Sequence, residues 1–172
     1  MRNALLMIML FGVGCGTLSV GAGAPRPNVM VAVDKQPSTL VLDPGILDAS
    51  EIPPIGAIPT VEVRDWRQSL TAGYQSAFPA GAPAGVTLVL LKAELSFAPA
   101  SAGRHEVTTM QAMVRFQARL LDAAGNELGT LAGTALAPGA TASFNERDLS
   151  ANAATAVEAL YERLATDLLS RS

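Results

Sequence analysis

Alternation of apolar and polar residues is strongest in the second half of the chain and predicts three consecutive strands. Residues 86–91 (VTLVLL) are almost wholly apolar, which indicates a central strand, and residues 92–97 continue it as a one-sided strand. Residues 107–121 alternate well, and a turn with Gly and Asn at 122–126 leads into a strand of small residues at 127–136. The predicted inward side chains of the middle strand are Val114, Phe116, Ala118 and Leu120, and the outward ones are Arg115, Gln117 and Arg119. These strands predict an antiparallel meander.

The first helix is predicted at residues 60–78, where apolar side chains recur at helical spacing. Thr60 or Asp65 is the expected cap, and Pro79 ends the helix. Gly73 is unfavourable inside a helix by about 1 kcal/mol, which indicates close packing of this helix on the sheet. The stripe comprises Trp66, Leu70, Tyr74 and Ala77.

The second helix, at residues 148–170, has the clearest pattern in the chain. Asp148 or Ser150 is the expected cap, and charged side chains occupy the face opposite the apolar stripe. The stripe comprises Ala153, Val157, Leu160, Tyr161, Leu164 and Leu168. This pattern predicts that the helix lies with one face on the sheet.

The first half of the chain has shorter apolar runs. Residues 29–33 predict an edge strand or an extended arm, and residues 40–42 predict a buried strand that ends at the turn Asp43-Pro44-Gly45. Residues 46–59 contain three prolines and no period, so we expect a loop. Its isoleucines, Ile52, Ile55 and Ile58, are expected to pin the loop to the core or to offer a surface to a partner.

The resulting order is strand, helix, three strands, helix. It predicts an α+β fold, a two-layer sandwich with a four- or five-stranded, mostly antiparallel sheet and both helices on one face. The first helix is expected to be a right-handed crossover between neighbouring parallel strands.

The first 16 residues, MRNALLMIMLFGVGCG, predict an export signal rather than a fold element. A positive charge at Arg2 precedes an apolar run that is shorter than the ~20 residues a membrane-spanning helix needs. A small residue, Gly14, then precedes Cys15, the only cysteine in the chain. This arrangement predicts a lipoprotein signal peptide at residues 1–14, lipidation of Cys15, a flexible tether at residues 15–27 and a single domain at residues 28–172.

Two other fates compete with lipidation. Gly12 stands where the lipobox usually has Leu, and Ala22-Gly23-Ala24 has the A-x-A pattern of an ordinary secretory cleavage site. Pro25 would then follow the cut, where its fixed φ and missing N–H disfavour the peptidase. An uncleaved anchor is disfavoured by the length of the apolar run.

Composition excludes several classes of partner. The chain has 12 basic and 15 acidic residues and no basic run, so we expect no nucleic-acid partner and no polybasic contact with anionic lipid. With Cys15 acylated, no thiol is left for a disulfide or a metal site. Membrane attachment must then come from the acyl chains.

Residues with catalytic or metal-binding chemistry are few. His105, the only histidine, lies in a predicted loop, where a solvated side chain is the favoured interpretation, and no nucleophile motif accompanies it. Asp43, Asp48 and Glu51 share one region, but their spacing does not match a calcium loop, and solvated turn carboxylates are the favoured interpretation. We therefore expect no catalytic residues, no cofactor and no metal.

Four larger side chains have both a core and a binding interpretation. Trp66 and Tyr74 lie on the predicted apolar stripe, which favours the core over a ligand platform. Met110 and Met113 stand at the start of a strand, where they are expected to fill space, although an exposed apolar edge there is a candidate partner surface.

The lipobox, the short tether and the strand-helix-three-strand-helix domain, with VRDWRQSLTAGYQSAF as its first helix, together resemble small outer-membrane lipoproteins. These are the YajG-like and LptE-like lipoproteins and the auxiliary lipoproteins of ABC-type lipid transporters. The resemblance covers the layout of the whole chain and transfers one residue, Cys15.

The resemblance implies a membrane-anchored envelope lipoprotein that acts as a non-catalytic accessory or binding subunit in envelope assembly or lipid transport. Gly16, rather than Asp, follows Cys15, so the expected location is the outer membrane, facing the periplasm. The expected partners are the membrane, through the lipid anchor, and an envelope protein. The alternative is a secreted or periplasmic enzyme, or a freely diffusing ligand-binding protein, with an unrecognised site.

Overall fold

Two sheets and two helices surround a shared hydrophobic core. The computed structural model describes residues 16–55, 58–79, 85–100, 109–141 and 143–169. The strands are β1 (Leu18–Val20), β2 (Thr39–Leu42), β3 (Ser50–Ile52), β4 (Val61–Val63), β5 (Thr87–Ala100), β6 (Thr109–Leu121) and β7 (Glu127–Leu136). The helices are α1 (Trp66–Ala77) and α2 (Glu146–Leu164), and a π-helical turn (Ala165–Leu169) extends α2. Among these described residues, no helix is long and apolar enough to span a membrane.

The larger sheet has the strand order β2-β5-β6-β7. β2 runs parallel to β5, whereas β5, β6 and β7 are successive antiparallel neighbours, and α1 connects the two parallel strands. The predicted α+β class, the crossover between parallel neighbours and the meander are therefore confirmed. The prediction of a buried first strand is wrong: β2 is an edge strand, and its side chains alternate between exposed and half-buried.

One face of the larger sheet is buried and the other is open. The pairs Leu88–Leu120 and Leu95–Val114 across β5 and β6 belong to the core, while the intervening positions are half-buried or exposed. The hairpin between β6 and β7 is held by the Asp122 carboxylate, which accepts hydrogen bonds from the amides of Ala124 and Asn126. Hydrogen bonds from the Asn126 side chain and backbone lower the pKa of this carboxyl.

The smaller sheet, with the order β1-β4-β3, differs from the sequence-based expectation in three places. β1 lies in the segment expected to be a flexible tether, and its Val20 is fully buried. β3 lies in the predicted loop 46–59, and β4 occupies the first residues of the predicted helix. Strands of three residues are too short to show a period of two, so pattern reasoning missed them.

The chain between β1 and β2 crosses the surface of α2. The backbone amides of Arg26 and Asn28 donate hydrogen bonds of 2.9 and 3.0 Å to the carboxylates of Glu158 and Glu162, one turn apart on the helix. Pro25 is buried. Residues 29–32 continue without entering a sheet, so the extended arm is the correct alternative of the two that the sequence left open.

Both helices begin differently from the prediction. Asp65 stands at the N-cap of α1 with φ of 52° and makes no side-chain cap bond. Asp48 caps this helix instead: its carbonyl accepts from the Trp66 amide and its carboxylate from the Arg67 amide. α2 begins at Glu146 and is capped by Asn145, whose side-chain oxygen accepts from the amide of Asp148.

The two helices pack against each other at Gly73. A Cβ atom there would lie 2.8 Å from a ring carbon of Tyr161 and 2.9 Å from Cγ1 of Val157. The glycine therefore marks a close approach, as expected, but the surface it meets is α2 rather than the sheet.

Candidate functional site

Two of the candidate residues, Cys15 and His105, lie outside the described residues. Lipidation of Cys15 therefore stays a prediction, and so does the solvated-loop interpretation of His105. The predicted signal peptide at residues 1–14 also lies outside them.

The three acidic residues considered for a cation are used separately. The Asp43 carboxylate accepts a hydrogen bond of 2.8 Å from the amide of Gly45, which closes the turn after β2. Asp48 caps α1, and Glu51 lies on β3. Within the described part of the chain, no group of three or more His, Cys, Asp or Glu side chains is placed to hold a metal ion.

Trp66 and Tyr74 lie in the core, as the apolar stripe indicated. Trp66 is 3% exposed, and its indole N–H donates a 2.8 Å hydrogen bond to the carbonyl of Ala93. The Tyr74 hydroxyl donates to the carbonyl of Pro37 at 2.7 Å. Met110 is fully buried and Met113 is half-buried.

A groove of about 560 Å³ lies between the two sheets, and we call it the β5 groove. One wall is formed by residues 91–96 of β5 and the other by residues 45–47 and 50–53, which include β3. Val63 and Trp66 lie between the walls. Because side chains alternate across a strand, lining by six consecutive residues means that the edge of β5 borders the groove. Gln117, the partner of Lys92 in β6, adds part of the open face of the larger sheet.

This edge of β5 lacks a neighbouring strand because β2 is short. β2 pairs with β5 only as far as Leu90, and the Asp43 amide makes the last bond of that ladder, to the Leu90 carbonyl. Beyond it, no described strand pairs with β5 on this side. We call residues 92–100 on this side the open edge of β5.

The ladder shows which backbone groups face the open edge. The Ala137 amide donates to the carbonyl of Ala112, so Ala112 directs its backbone groups towards the β7 side. Phe97 is the partner of Ala112 in β5, and in an antiparallel pair both partners bond to each other or both point away. The N–H and C=O of Phe97 therefore point to the open edge, as do those of Leu95 two residues earlier. The hydrogen bond from Trp66 to the Ala93 carbonyl reaches the strand from this same side.

The wall opposite β5 is held in place by Arg67 of α1. Its guanidinium donates to the carbonyls of Asp43 and Ile46, at 2.9 and 2.8 Å, and to that of Leu42 at 3.3 Å. Three acceptors at once fix the course of the loop that follows β2. The groove is therefore largely formed before any ligand binds.

The charges around the groove are exposed. Lys92 and Glu94 form an ion pair of 3.0 Å, and both side chains are at least two-fifths exposed. Glu51 is exposed and takes part in none of the ion pairs among the described residues. The cross-strand neighbour of Glu51 in β4 is another carboxylate, Glu62. A hydrogen bond from Arg64 lowers the pKa of Glu62. Among the residues that line the groove, the one charge without an ion pair is therefore that of Glu51.

Sequence reasoning did not find this groove. It named Ile52 as a residue that pins its loop to the core or offers a surface to a partner, and Glu51 as a candidate cation ligand. The open edge follows from the difference in length between β2 and β5, which is set by tertiary pairing. One signal was present: the turn at 43–45 ends the first strand early, whereas the strand predicted from residue 86 continues to residue 97.

Comparison with known proteins yields a similarity of fold. No protein-family model and no curated protein sequence matches the chain. Its fold is similar to the crystal structure of protein XCC0632 from Xanthomonas campestris, assigned to the family model DUF330, with a TM-score of 0.51. The two share 16% sequence identity over 87% of this chain and 92% of the other. The chain thus has a distant structural neighbour in a bacterial protein family, and the likeness shows the fold alone.

Proposed function

We propose that this chain is a membrane-anchored envelope lipoprotein that binds a partner without catalysing a reaction, and that the β5 groove is its binding site. The observation that carries the proposal is a preformed groove with mostly apolar walls beside an unpaired strand edge. Its ionisable side chains, Glu51, Lys92 and Glu94, are exposed, and Lys92 and Glu94 neutralise each other. Exposed charged side chains of this kind suit the rim of a binding site better than acid–base chemistry.

The position of β1 supports a leader that ends before Cys15. An ordinary secretory cut after Ala24 would remove the strand Leu18–Val20 and the fully buried side chains of Val20 and Ala22. A cut before Cys15 would leave them in place. This supports the lipoprotein interpretation over a secretory cut after Ala24, and an outer-membrane location facing the periplasm is part of this proposal.

The groove volume also favours a second candidate. A cavity of about 560 Å³ falls within the range of small-molecule sites. A freely diffusing protein that binds a small apolar ligand would use the same groove. The two functions differ in the occupant of the groove in the cell, which is a partner protein in the first and a small molecule in the second.

A site-specific photocrosslinker tests the proposed function in intact cells. Leu47 and Val33 are matched positions, since both are aliphatic and their exposed fractions are 63% and 61%. Of these two residues, Leu47 lines the groove and Val33 does not. We expect the crosslinker at residue 47 to form a discrete adduct with an envelope protein and the crosslinker at residue 33 to form none. Equal adducts from both positions, or none from residue 47, would contradict a partner-binding groove.

A further inference from the structure

The geometry of the β5 groove points to the chemical class of its occupant, and this inference rests on the proposed function. We propose that the groove binds an extended peptide segment of a partner protein, which adds as a strand to the open edge of β5 and carries a basic residue opposite Glu51.

Backbone groups at the open edge call for a strand rather than a compact ligand. Leu95 and Phe97 direct their N–H and C=O groups away from β6, and no described strand accepts them. Peptide groups at a sheet edge are satisfied by another extended backbone, which is the basis of recognition by strand addition. Pro99, two residues after Phe97, also directs its backbone nitrogen to the open edge. The lack of an N–H group at Pro99 therefore removes no hydrogen bond between β5 and β6.

The dimensions of the groove match one strand. Six consecutive residues of β5 line it, which corresponds to about 20 Å at 3.3 Å per residue. That is the length of an average strand in globular proteins. The Ala93 carbonyl is already bonded to Trp66, so the added strand pairs with the free backbone groups of Leu95 and, just beyond the lining residues, Phe97. The loop 45–47 and β3 form the opposite wall, so the proposed segment lies between this wall and the open edge of β5.

The walls predict the side chains of the occupant. Apolar groups of Ile46, Ile52 and Trp66 line the inner part of the groove and favour apolar side chains at alternate positions. Lys92 and Glu94 neutralise each other, so Glu51 on β3 is the one charged lining residue without an ion pair. A lysine or arginine in the segment complements it.

Trp66 provides the signal for the test because it is the only tryptophan in the chain and lines the groove. The full chain, reconstituted in lipid nanodiscs, is titrated with a blocked six-residue peptide in which valine alternates with threonine and one threonine is replaced by lysine. Two further versions carry N-methyl groups on the odd or on the even residues. We expect saturable quenching or a spectral shift with the parent peptide. The version methylated on the side away from β5 should bind as tightly as the parent peptide. The version methylated on the side that faces β5 should bind at least about tenfold more weakly, because it lacks the N–H donors that bond to β5.

Charge reversal tests the basic residue independently. In Glu51→Lys, the preference should invert towards a peptide with glutamate in place of lysine, with a change of up to about fivefold, as expected for an exposed ion pair. Asp34→Lys is the matched control, because Asp34 is also exposed and does not line the groove. It should leave both affinities unchanged.

Several results would overturn the proposal. Equal binding of both methylated peptides would mean that apolar filling alone drives the response. A response to a single-chain lipid but to no peptide would place a small ligand in the groove. A signal that changes with protein concentration alone would place a second copy there. In each case, an envelope-protein adduct from the crosslinker at residue 47 would still support the proposed function. Absence of that adduct would contradict the proposed function as well as the peptide occupant.

Discussion

At the scale of single residues, the core is set by close contacts that tolerate little change. Tyr161 is fully buried in α2, and its hydroxyl donates a 2.6 Å hydrogen bond to the Leu70 carbonyl in α1. Its ring edge also fills the space that a side chain at residue 73 would need. Tyr74 and Phe78 contact the same ring at centroid distances of 6.4 and 6.3 Å. This cluster joins the two helices.

Gly73→Ala should destabilise the protein. Alanine improves helix propensity by about 1 kcal/mol, but the new methyl group would overlap Tyr161 and Val157, and overpacking costs about 1–3 kcal/mol. We expect a net loss of about 1 kcal/mol in the free energy of unfolding, measured in urea. Ser76→Ala, on the exposed face of the same helix, is the control and should be neutral or slightly stabilising. A gain at residue 73 would contradict the close approach.

Stability should fall at alkaline pH through Tyr161. Burial raises the pKa of its hydroxyl, and the nearby Tyr74 adds to the effect. The unfolded chain loses this proton near pH 10, whereas the folded chain retains it, so the contribution is complete below about pH 10 and is lost as the pH rises further. The slope reaches about 1.4 kcal/mol per pH unit for one proton. Burial also raises the pKa of Tyr74, to about 12.

Urea unfolding from about pH 8 to about pH 11 measures this dependence. Tyr161→Phe is the comparison: it should be less stable at neutral pH, because the Leu70 carbonyl loses a buried donor, and its stability should fall less steeply above pH 10. Parallel curves for the two proteins would show that Tyr161 does not titrate on unfolding.

At the scale of elements, periodicity decided what could be predicted from the sequence. α2 and the meander β5–β7 are long enough to repeat their pattern, and β7 was predicted with the bounds that it has. β1, β3 and β4 have three residues each, too few to show a period, and the pairing of β1 with β4 joins residues far apart in the chain. The start of α1 was misplaced because its cap, Asp48, lies 19 residues before the amide it binds. The groove depends on the same non-local contacts and was missed with them.

The caps of α1 provide a direct test. Asp48→Ala removes the carboxylate that accepts from the Arg67 amide and should cost about 1 kcal/mol, as the loss of an N-cap does. Asp65→Gly should change stability little, because its side chain makes no cap bond and glycine adopts a positive φ without strain. Denaturant unfolding of both variants separates them. If Asp65→Gly lowered stability more than Asp48→Ala, the side chain that caps α1 would be Asp65, as the sequence pattern suggested.

The inner face of α2 should carry much of the stability. Leu160 and Leu164 are fully buried, so replacement of either by Ala should cost roughly 2–5 kcal/mol. Arg147→Ala, on the exposed side of the same helix, should change stability by less than about 0.5 kcal/mol. Losses as small as the control at both leucines would mean that this stripe does not pack on the sheet.

At the scale of the whole molecule, anchoring and binding are separate parts of the proposal and can be tested separately. Cys15→Ser should abolish metabolic lipid labelling and leave an unprocessed precursor in the membrane, because the lipidated cysteine defines the cut. Glu51→Lys in the groove should leave labelling and processing unchanged, since β3 is remote in sequence from the signal. Normal processing of the Cys15→Ser protein would remove the lipoprotein interpretation and leave the groove untouched.

The pairing of β1 with β4 has a consequence for how the domain stands on a membrane. Only Gly16 and Thr17 separate Cys15 from Leu18, whose amide donates to the Thr60 carbonyl. Three peptide links reach about 11 Å at most, so a lipid on Cys15 would hold the smaller sheet against the head groups and restrict the domain to a narrow range of tilt. The anchored domain would then hold the β5 groove at a constant distance from the membrane surface and in a constant orientation. Six flexible residues inserted after Thr17 would remove this alignment while keeping the lipid, and crosslinking from residue 47 should fall although labelling persists.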